Sequence, residues 1–314
     1  MSDLRVLYLG PSDLLPYVRK ALPDMQVEWG ADADAVRNVI ESVDVVFDAS
    51  MAIRFDANLL AKATNLKYYV TATTGSNHID EAYLTAHNIP LRTLRDERAA
   101  LQGITAAAEH SWLLLLACAR NLRGAITHVL DGEWDRTQFP GMMLNGRTLG
   151  VIGCGRIGQW MSRYGSAFGM RCVGYDSEVV PPGVIEPASF EEVLGAADIV
   201  TIHVPLTQAT TKMIGRREIG LMKDGVIIVN TSRGEVLDEV AVVAGLESGK
   251  IGALGADVLA GEPPTDENLL LSYARKHDNV VITPHIGGFS PDALRAVISL
   301  MCGRIRERFV TASL

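Results

Sequence analysis

One stretch, residues 147–176, constrains this chain more than any other, because it reads as a strand, a glycine loop, a helix and a second strand ending on an acid. Thr148-Leu149-Gly150-Val151-Ile152 is short, apolar and β-branched enough for a buried parallel strand, while residues 156–168 space their apolar side chains as a helix does. Between them lies Gly153-Cys154-Gly155-Arg156-Ile157-Gly158. In such a loop Gly153 permits the tight turn, Gly155 lets backbone approach a pyrophosphate, and Gly158 lets the helix pack close to the strand. A pyrophosphate then sits at the helix N-terminus, where unpaired N–H groups and the helix dipole favour negative charge. Asp176 closes the strand Cys172-Val173-Gly174-Tyr175, where a carboxylate accepts hydrogen bonds from an adenosine ribose and repels a 2′-phosphate. Ser177 and Glu178 follow it, with no Arg or Lys, so the expected cofactor is NAD rather than NADP. Alone, the glycine string fits an ordinary tight turn with Asp176 a solvated strand end; with strand, helix and acid it favours a dinucleotide site.

At 314 residues and 48% hydrophobic, the chain suits two domains with well-buried cores. Its formal charge of −8 argues against nucleic-acid and anionic-membrane partners, which call for clustered Lys and Arg. Cys118, Cys154, Cys172 and Cys302 share no CxxC spacing, so neither a metal site nor a disulfide framework is expected, and they read as reduced cytosolic thiols. The start Met1-Ser2-Asp3-Leu4-Arg5 runs straight into a strand pattern, and the most apolar stretch, 112–119, is too short to span a bilayer. The expectation is a cytoplasmic protein without a targeting segment.

Short apolar runs at 6–9, 27–29, 43–47, 68–71 and 91–94 alternate with helical patterns, and a second series has strands at 148–152, 172–175, 199–203, 226–230, 253–257 and 280–283. Strands alternating with helices imply parallel sheets covered on both faces. The expected fold is α/β, with two doubly wound parallel-sheet domains. Residues 1–103 and 290–314 form a flavodoxin-like substrate domain, and residues 104–289 a Rossmann-type NAD-binding domain. Residues 104–120 read as a long apolar helix with Glu109 and His110 near its middle, its girth suggesting burial against a second subunit in a homodimer. Ser290-Pro291-Asp292 reads as the N-cap and first turn of an amphipathic closing helix running to Phe309.

Three polar side chains lie at or beyond strand ends of the second series, where parallel sheets place ligands. Arg233, in Thr231-Ser232-Arg233-Gly234-Glu235, can grip a carboxylate through two parallel hydrogen bonds. His285 follows the strand end Val281-Ile282-Thr283-Pro284 and precedes Ile286-Gly287-Gly288. Histidine, with an unperturbed pKa of about 6.5, is the natural proton donor near neutrality. Glu262, in Gly261-Glu262-Pro263-Pro264, is the candidate carboxylate to favour its charged form and fix its tautomer. Each alone fits a structural role, Arg233 as the cap of a surface turn; beside a dinucleotide loop the three together point to chemistry.

At these residues the chain closely resembles the D-isomer-specific 2-hydroxyacid dehydrogenase family, which includes D-lactate, glyoxylate and 3-phosphoglycerate dehydrogenases. The matching strings are Gly150-Val-Ile-Gly-Cys-Gly-Arg-Ile-Gly158, His203-Val-Pro-Leu-Thr207, Asn230-Thr-Ser-Arg-Gly-Glu-Val-Leu-Asp238, Asp257-Val-Leu-Ala-Gly-Glu-Pro263 and Pro284-His-Ile-Gly-Gly288. The resemblance implies hydride transfer between NAD(H) and a 2-hydroxy/2-oxo acid, with Arg233 orienting the substrate, His285 as acid/base and Glu262 as its partner. It also implies cofactor contacts from Gly153, Gly155, Arg156, Ile157, Gly158, Asp176, His203, Val204, Pro205, Thr210, Thr231, Ser232, Arg233, Asp257, His285 and Gly287, and no metal. Thr74-Gly75-Ser76 looks like the family loop whose backbone N–H groups hold the substrate carboxylate, beside Arg233 and His285.

One region departs from that pattern. Relatives leave the last N-terminal strand through a short Pro-Gly and Asn-containing stretch, whereas residues 95–103 here are longer and lack proline. Arg95 and Arg98 in that stretch either meet a second acidic group on a larger substrate or belong to a solvated charged loop, the blander and favoured reading. Two rival functions share the architecture: an NAD(H)-sensing binding protein, like the family's corepressor relatives, and phosphite dehydrogenase. Formate dehydrogenases are expected to carry Gln in place of Glu262, which speaks against that activity.

Overall fold

The structure is a computed structural model that describes residues 4–310. Residues 1–3 and 311–314, counted above in the substrate domain, lie outside the described residues. The chain divides into two units, Met1–Ile104 with Pro291–Leu314, and Thr105–Ser290.

In the first unit β1 (Arg5–Leu9), β2 (Gln26–Trp29), β3 (Val45–Asp48), β4 (Tyr68–Thr71) and β5 (Leu91–Arg92) pair in parallel in the order β2-β1-β3-β4-β5, the flavodoxin-like winding. Alternate side chains of the central strands fill opposite layers. Val6, Tyr8, Val45, Phe47, Tyr68 and Val70 pack with Val297, Ile298, Met301 and Ile305 of the closing helix Pro291–Phe309. On the other face Leu7, Leu9, Val46 and Tyr69 pack with Val36, Phe55, Leu60 and Leu84.

Two expectations shift here, each for a local reason. The strand read over 91–94 stops at Arg92, because the Thr93 hydroxyl accepts the Arg95 N–H and Asp96 accepts the Thr93 N–H, capping a 3-10 turn at Leu94–Glu97. The strand read over 43–47 starts at Val45, after the turn Ile40–Ser42 takes the Val43 N–H onto the Ile40 carbonyl. Residues 95–103 are largely the solvated stretch favoured above, with Arg95, Asp96 and Arg98 exposed, but Glu97 and Leu101 turn inward. The turns Leu94–Glu97 and Ala100–Gly103 bury Leu94 and Leu101 in the core beside the closing helix. Glu97 is buried with them, gripped by both Nε and Nη2 of Arg304 (2.7 and 2.8 Å) and by Arg92 (2.7 Å).

In the second unit β6 (Thr148–Ile152), β7 (Arg171–Tyr175), β8 (Glu186–Pro187), β9 (Ile199–Ile202), β10 (Val226–Asn230), β11 (Ile251–Ala256) and β12 (Val280–Ile282) run in the order β12-β11-β10-β9-β6-β7-β8. Counted within the unit, that is the Rossmann order 3-2-1-4-5-6 with one strand added. Sequence reading passes over β8, two exposed residues ending in proline at the sheet edge, because it carries no apolar pattern. The linking helix, Ala106–Ala119, lies on this sheet: Leu114, Leu115 and Cys118 pack with Val151, Ile227, Val229 and Ala253. Gly255 admits it, since a Cβ there would stand 3.0 Å from Cβ of Leu114. The helix's apolar girth is therefore spent mostly inside its own unit, where burying a leucine side chain contributes about 2 kcal/mol. Among the described residues no single helix is long and apolar enough to cross a membrane.

Candidate active site

With every strand of the second sheet parallel, the turns that follow β6, β9, β10, β11 and β12 gather at one edge. The first is the glycine loop. Gly153 has φ +89°, and a Cβ there would lie 2.5 Å from the His203 carbonyl oxygen. Gly158 presses against the loop just as closely, its Cβ position only 2.2 Å from the Gly153 oxygen. At Gly155 a Cβ would meet nothing within 4 Å, so open space lies where a pyrophosphate needs it. The 12-residue helix Arg156–Ala167, which carries Arg156 and Ile157 in its first turn, starts there without a side-chain cap. Asp176 braces the loop: one oxygen accepts the Cys154 N–H at 2.7 Å and the other the Glu178 N–H at 3.0 Å, and each keeps a lone pair for a ribose hydroxyl. Burial, aided by the Asp176 charge, pushes the Cys154 thiol up to about 12, so it stays a packing group.

His203, at the end of β9, pairs its Nε2 with the Thr201 hydroxyl at 2.8 Å, while its Nδ1 is buried without a partner. Burial pushes its pKa down to about 3, which keeps the ring neutral. Beyond it, through Val204 and Pro205, the Thr210 hydroxyl donates to the Pro205 carbonyl at 2.6 Å and shapes the loop. A cradle open at Gly155, an uncapped helix start, a ribose-competent acid and an orphaned ring nitrogen together fit a dinucleotide.

The turn after β10 carries Thr231, Ser232 and Arg233. Asn230 organises it, accepting the Ser232 N–H and hydroxyl (3.0 and 2.7 Å) and donating to the Arg233 carbonyl (2.9 Å). The Arg233 guanidinium is largely buried; it donates to the Ser232 carbonyl at 2.6 Å and forms no salt bridge among the described residues. Its fork therefore stays available for a carboxylate. Gly234 follows, and a Cβ there would collide with the Leu259 carbonyl carbon at 1.9 Å, so only glycine lets this turn touch the one after β11.

The turn after β11 carries Glu262, which precedes a cis proline. One carboxylate oxygen accepts the Leu259 N–H at 2.9 Å, and the other meets His285 Nδ1 at 2.6 Å. Burial opposes ionisation of Glu262, but these two hydrogen bonds and the charges of His285 and Arg233 hold its carboxyl below the usual carboxylate range. An imidazole engaged at Nδ1 presents Nε2 for proton transfer, with one-third of the His285 side chain exposed (34%).

His285 adopts φ +54°, an unusual conformation for a non-glycine residue. Asp257 holds it there: the Asp257 main-chain oxygen accepts the His285 N–H at 2.8 Å, and its carboxylate accepts the N–H groups of Ile286 (2.9 Å) and Gly287 (2.7 Å) and the Thr283 hydroxyl (2.6 Å). The Asp257 side chain is 2% exposed. Asp257 and Gly287, placed on the cofactor by resemblance, are thus bound to each other. Sequence reasoning missed Thr283, His110 and Ser111. His110 Nε2 reaches the Thr283 hydroxyl at 2.8 Å, and Ser111 Oγ meets Thr231 Oγ1 at 2.6 Å. The available signal was polar side chains inside an apolar helix.

Thr74, Gly75 and Ser76 belong to the first unit, in the turn after β4. Among the described residues no acceptor takes their backbone N–H groups, which suits a carboxylate-binding loop. The Ser76 hydroxyl is occupied, donating to Glu81 and accepting from Arg95 at 2.6 Å. Arg95 also pairs with Glu81 at 2.9 Å, so much of its charge is answered locally. In the same unit Asp48 accepts the N–H groups of Ser50 (2.9 Å) and Met51 (3.1 Å) and pairs with His78 Nε2 at 2.8 Å, and Met51 sits at φ +59°.

Comparison with known proteins places the matched span in a family. Residues 112–287 match the family described as "D-isomer specific 2-hydroxyacid dehydrogenase, NAD binding domain", and residues 6–96 match its catalytic domain. The chain is 38% identical over 269 residues to a hydroxypyruvate reductase of Thermotoga maritima, covering 85% of each. It is 37% identical over 290 residues to a D-3-phosphoglycerate dehydrogenase of Methanocaldococcus jannaschii, covering 90% of this chain and 53% of that protein. It thus spans about half the length of the D-3-phosphoglycerate dehydrogenases it matches. Among solved structures it is similar to a D-lactate dehydrogenase from Aquifex aeolicus complexed with NAD and lactic acid, with TM-score 0.86, 30% identity and coverage of 98% of this chain and 96% of that one. On the matched span, with its glycine loop and paired imidazole and carboxylate in place, the chain belongs to the D-isomer specific 2-hydroxyacid dehydrogenase family.

Proposed function

We propose that the chain catalyses reversible, NAD-dependent interconversion of a 2-hydroxy acid and its 2-oxo acid. The observation that carries this reading is the 2.6 Å contact between His285 Nδ1 and Glu262, in the unit that bears the glycine loop and an Arg233 guanidinium that no carboxylate pairs among the described residues. The cradle at Gly155, the first turn at Arg156 and Ile157, Asp176 and the loop from His203 to Thr210 would hold NAD(H), which would supply or accept the hydride. In reduction His285 gives the Nε2 proton to the developing alkoxide, and Glu262 stabilises the charged ring and fixes its tautomer. Arg233 grips the substrate carboxylate and steadies charge on the neighbouring oxygen. The loop Thr74, Gly75 and Ser76, whose backbone N–H groups no acceptor takes among the described residues, is proposed on the family resemblance as a carboxylate-binding loop of its own unit.

The relatives' names set the acids to try first: hydroxypyruvate, then 3-phosphohydroxypyruvate, pyruvate and glyoxylate, followed by loss of NADH absorbance. His285→Ala and Arg233→Ala are expected to lower turnover of the best acid by at least about 100-fold while NADH still binds. Near-normal turnover in both variants ends the assignment.

We also propose a homodimer working in a reducing compartment, in keeping with four buried, unpaired cysteines. Much of the 106–119 helix packs in its own unit, so the surface proposed for the partner takes in its exposed Leu113 and the adjoining helix Leu122–Leu130, which Arg123 ties down through the carbonyls of His277 and Val280. Its Leu122, Ile126, Val129 and Leu130 are 42–80% exposed, and Leu113 (53%), Trp134 (88%) and Met143 (75%) are also bare.

A further inference from the structure

We propose that His110 and Ser111, neighbours on the linking helix, are positioning residues that hold the turns of His285 and Arg233 in their working shapes. This rests on the reading of those two residues given above.

The starting point is the His285 backbone. A non-glycine residue at φ +54° persists only where its surroundings hold it. Here the holder is Asp257, through the N–H groups of residues 285, 286 and 287. A carboxylate so deeply buried is itself kept in place by its donors. One of them is the Thr283 hydroxyl, which gives its only proton to Asp257 Oδ1. Thr283 Oγ1 can then only accept from His110, so His110 Nε2 carries the hydrogen. The same N–H lies 3.2 Å from Asp257 Oδ1. His110 thus stands behind the acid/base residue through one threonine and one aspartate.

Ser111 does the parallel task. Its hydroxyl donates to the Ala107 carbonyl at 2.7 Å, so the Thr231 hydroxyl must be the donor in the 2.6 Å contact with Ser111 Oγ. That contact fixes the turn that carries Arg233. Packing alone gives no reason for either polar group: Ser111 is fully buried, His110 is 12% exposed, and their helix is otherwise apolar where it meets the sheet. An apolar side chain would fill the space without the cost of burying a donor.

The test uses the full chain and compares wild type with His110→Ala, His110→Gln and Ser111→Ala. His110→Ala is expected to lower kcat for the best 2-oxo acid 10- to 100-fold with NADH affinity within twofold, and to speed hydrogen exchange of the Ile286 and Gly287 amides at least tenfold. His110→Gln, whose amide N–H can reach Thr283, is expected to recover most of both, and it serves as the folded variant should alanine prevent folding. Ser111→Ala is expected to act mainly on KM for the acid. Wild-type turnover, or unchanged amide exchange, in His110→Ala overturns the proposal, as does a Gln variant no better than Ala. If the wild type reduces no 2-oxo acid, the assigned reaction fails, and the exchange measurement alone still decides whether His110 braces the turn.

Discussion

Glu262 divides its two oxygens between the Leu259 N–H and the His285 ring, so its charge and its geometry can be separated by substitution. Glu262→Gln keeps a hydrogen-bonding group of the same size but removes the negative charge that favours an imidazolium. Reduction of the 2-oxo acid is expected to lose about tenfold in kcat at neutral pH. Unchanged turnover would remove Glu262 from the reaction. The places of Arg233, Glu262 and His285 beyond strand ends were legible in the sequence, because each follows an apolar run that reads as a buried strand. The inward turn of the Asp257 carboxylate was not. It depends on Thr283 and on His110, far away along the chain, and such contacts leave no trace in local spacing.

Strand interiors could be read directly, since β3, β4, β9 and β10 are buried along their whole length and appear as apolar runs with one polar residue each. Their ends could not, because a cap or a 3-10 turn decides them, as Thr93 does after β5. In the 95–103 segment the run of charge marked solvent correctly at Arg95, Asp96 and Arg98, while Glu97 and Leu101 are drawn into the core. The Glu97 network is the element most open to test. Hydrogen bonds from Arg304 lead in holding the Glu97 carboxyl below the usual glutamate range, with burial opposing and Arg92 assisting. A group whose folded pKa is depressed adds stability that is present above its unfolded value, about 4.3, and is lost as pH falls through the folded value. Glu97→Gln is expected to cost about 3 kcal/mol at neutral pH, the low end for breaking a buried pair because Arg92 and Arg304 reach solvent. Urea titrations of both proteins should converge as pH falls below the usual glutamate range and through the folded value; a constant gap would assign the loss to packing.

At the level of the whole molecule, both sheet windings follow from the alternation of strand and helix, whereas the partner surface proposed above rests on exposed apolar side chains rather than on girth. Apolar girth cannot say whether a helix is covered by its own domain or by another chain, and here the sheet of the same unit claims Leu114, Leu115 and Cys118. The exposed face passes to Leu122–Leu130. Leu130→Glu with Ile126→Glu is expected to halve the mass seen by light scattering, and a wild-type monomer at micromolar concentration would remove the dimer. The two units also share a construction with no matching sequence repeat. In each, an aspartate at a strand terminus collects successive amide protons, pairs with a histidine supplied by another segment, and pins a side-chain-bearing residue where glycine would be the easy choice: Met51 in one, His285 in the other. Turns fastened in this way have little freedom to reshape around a new ligand. A change of acid preference, whether by evolution or by design, is therefore expected to come from exchanging the side chains such turns display, with the turns themselves left as they are.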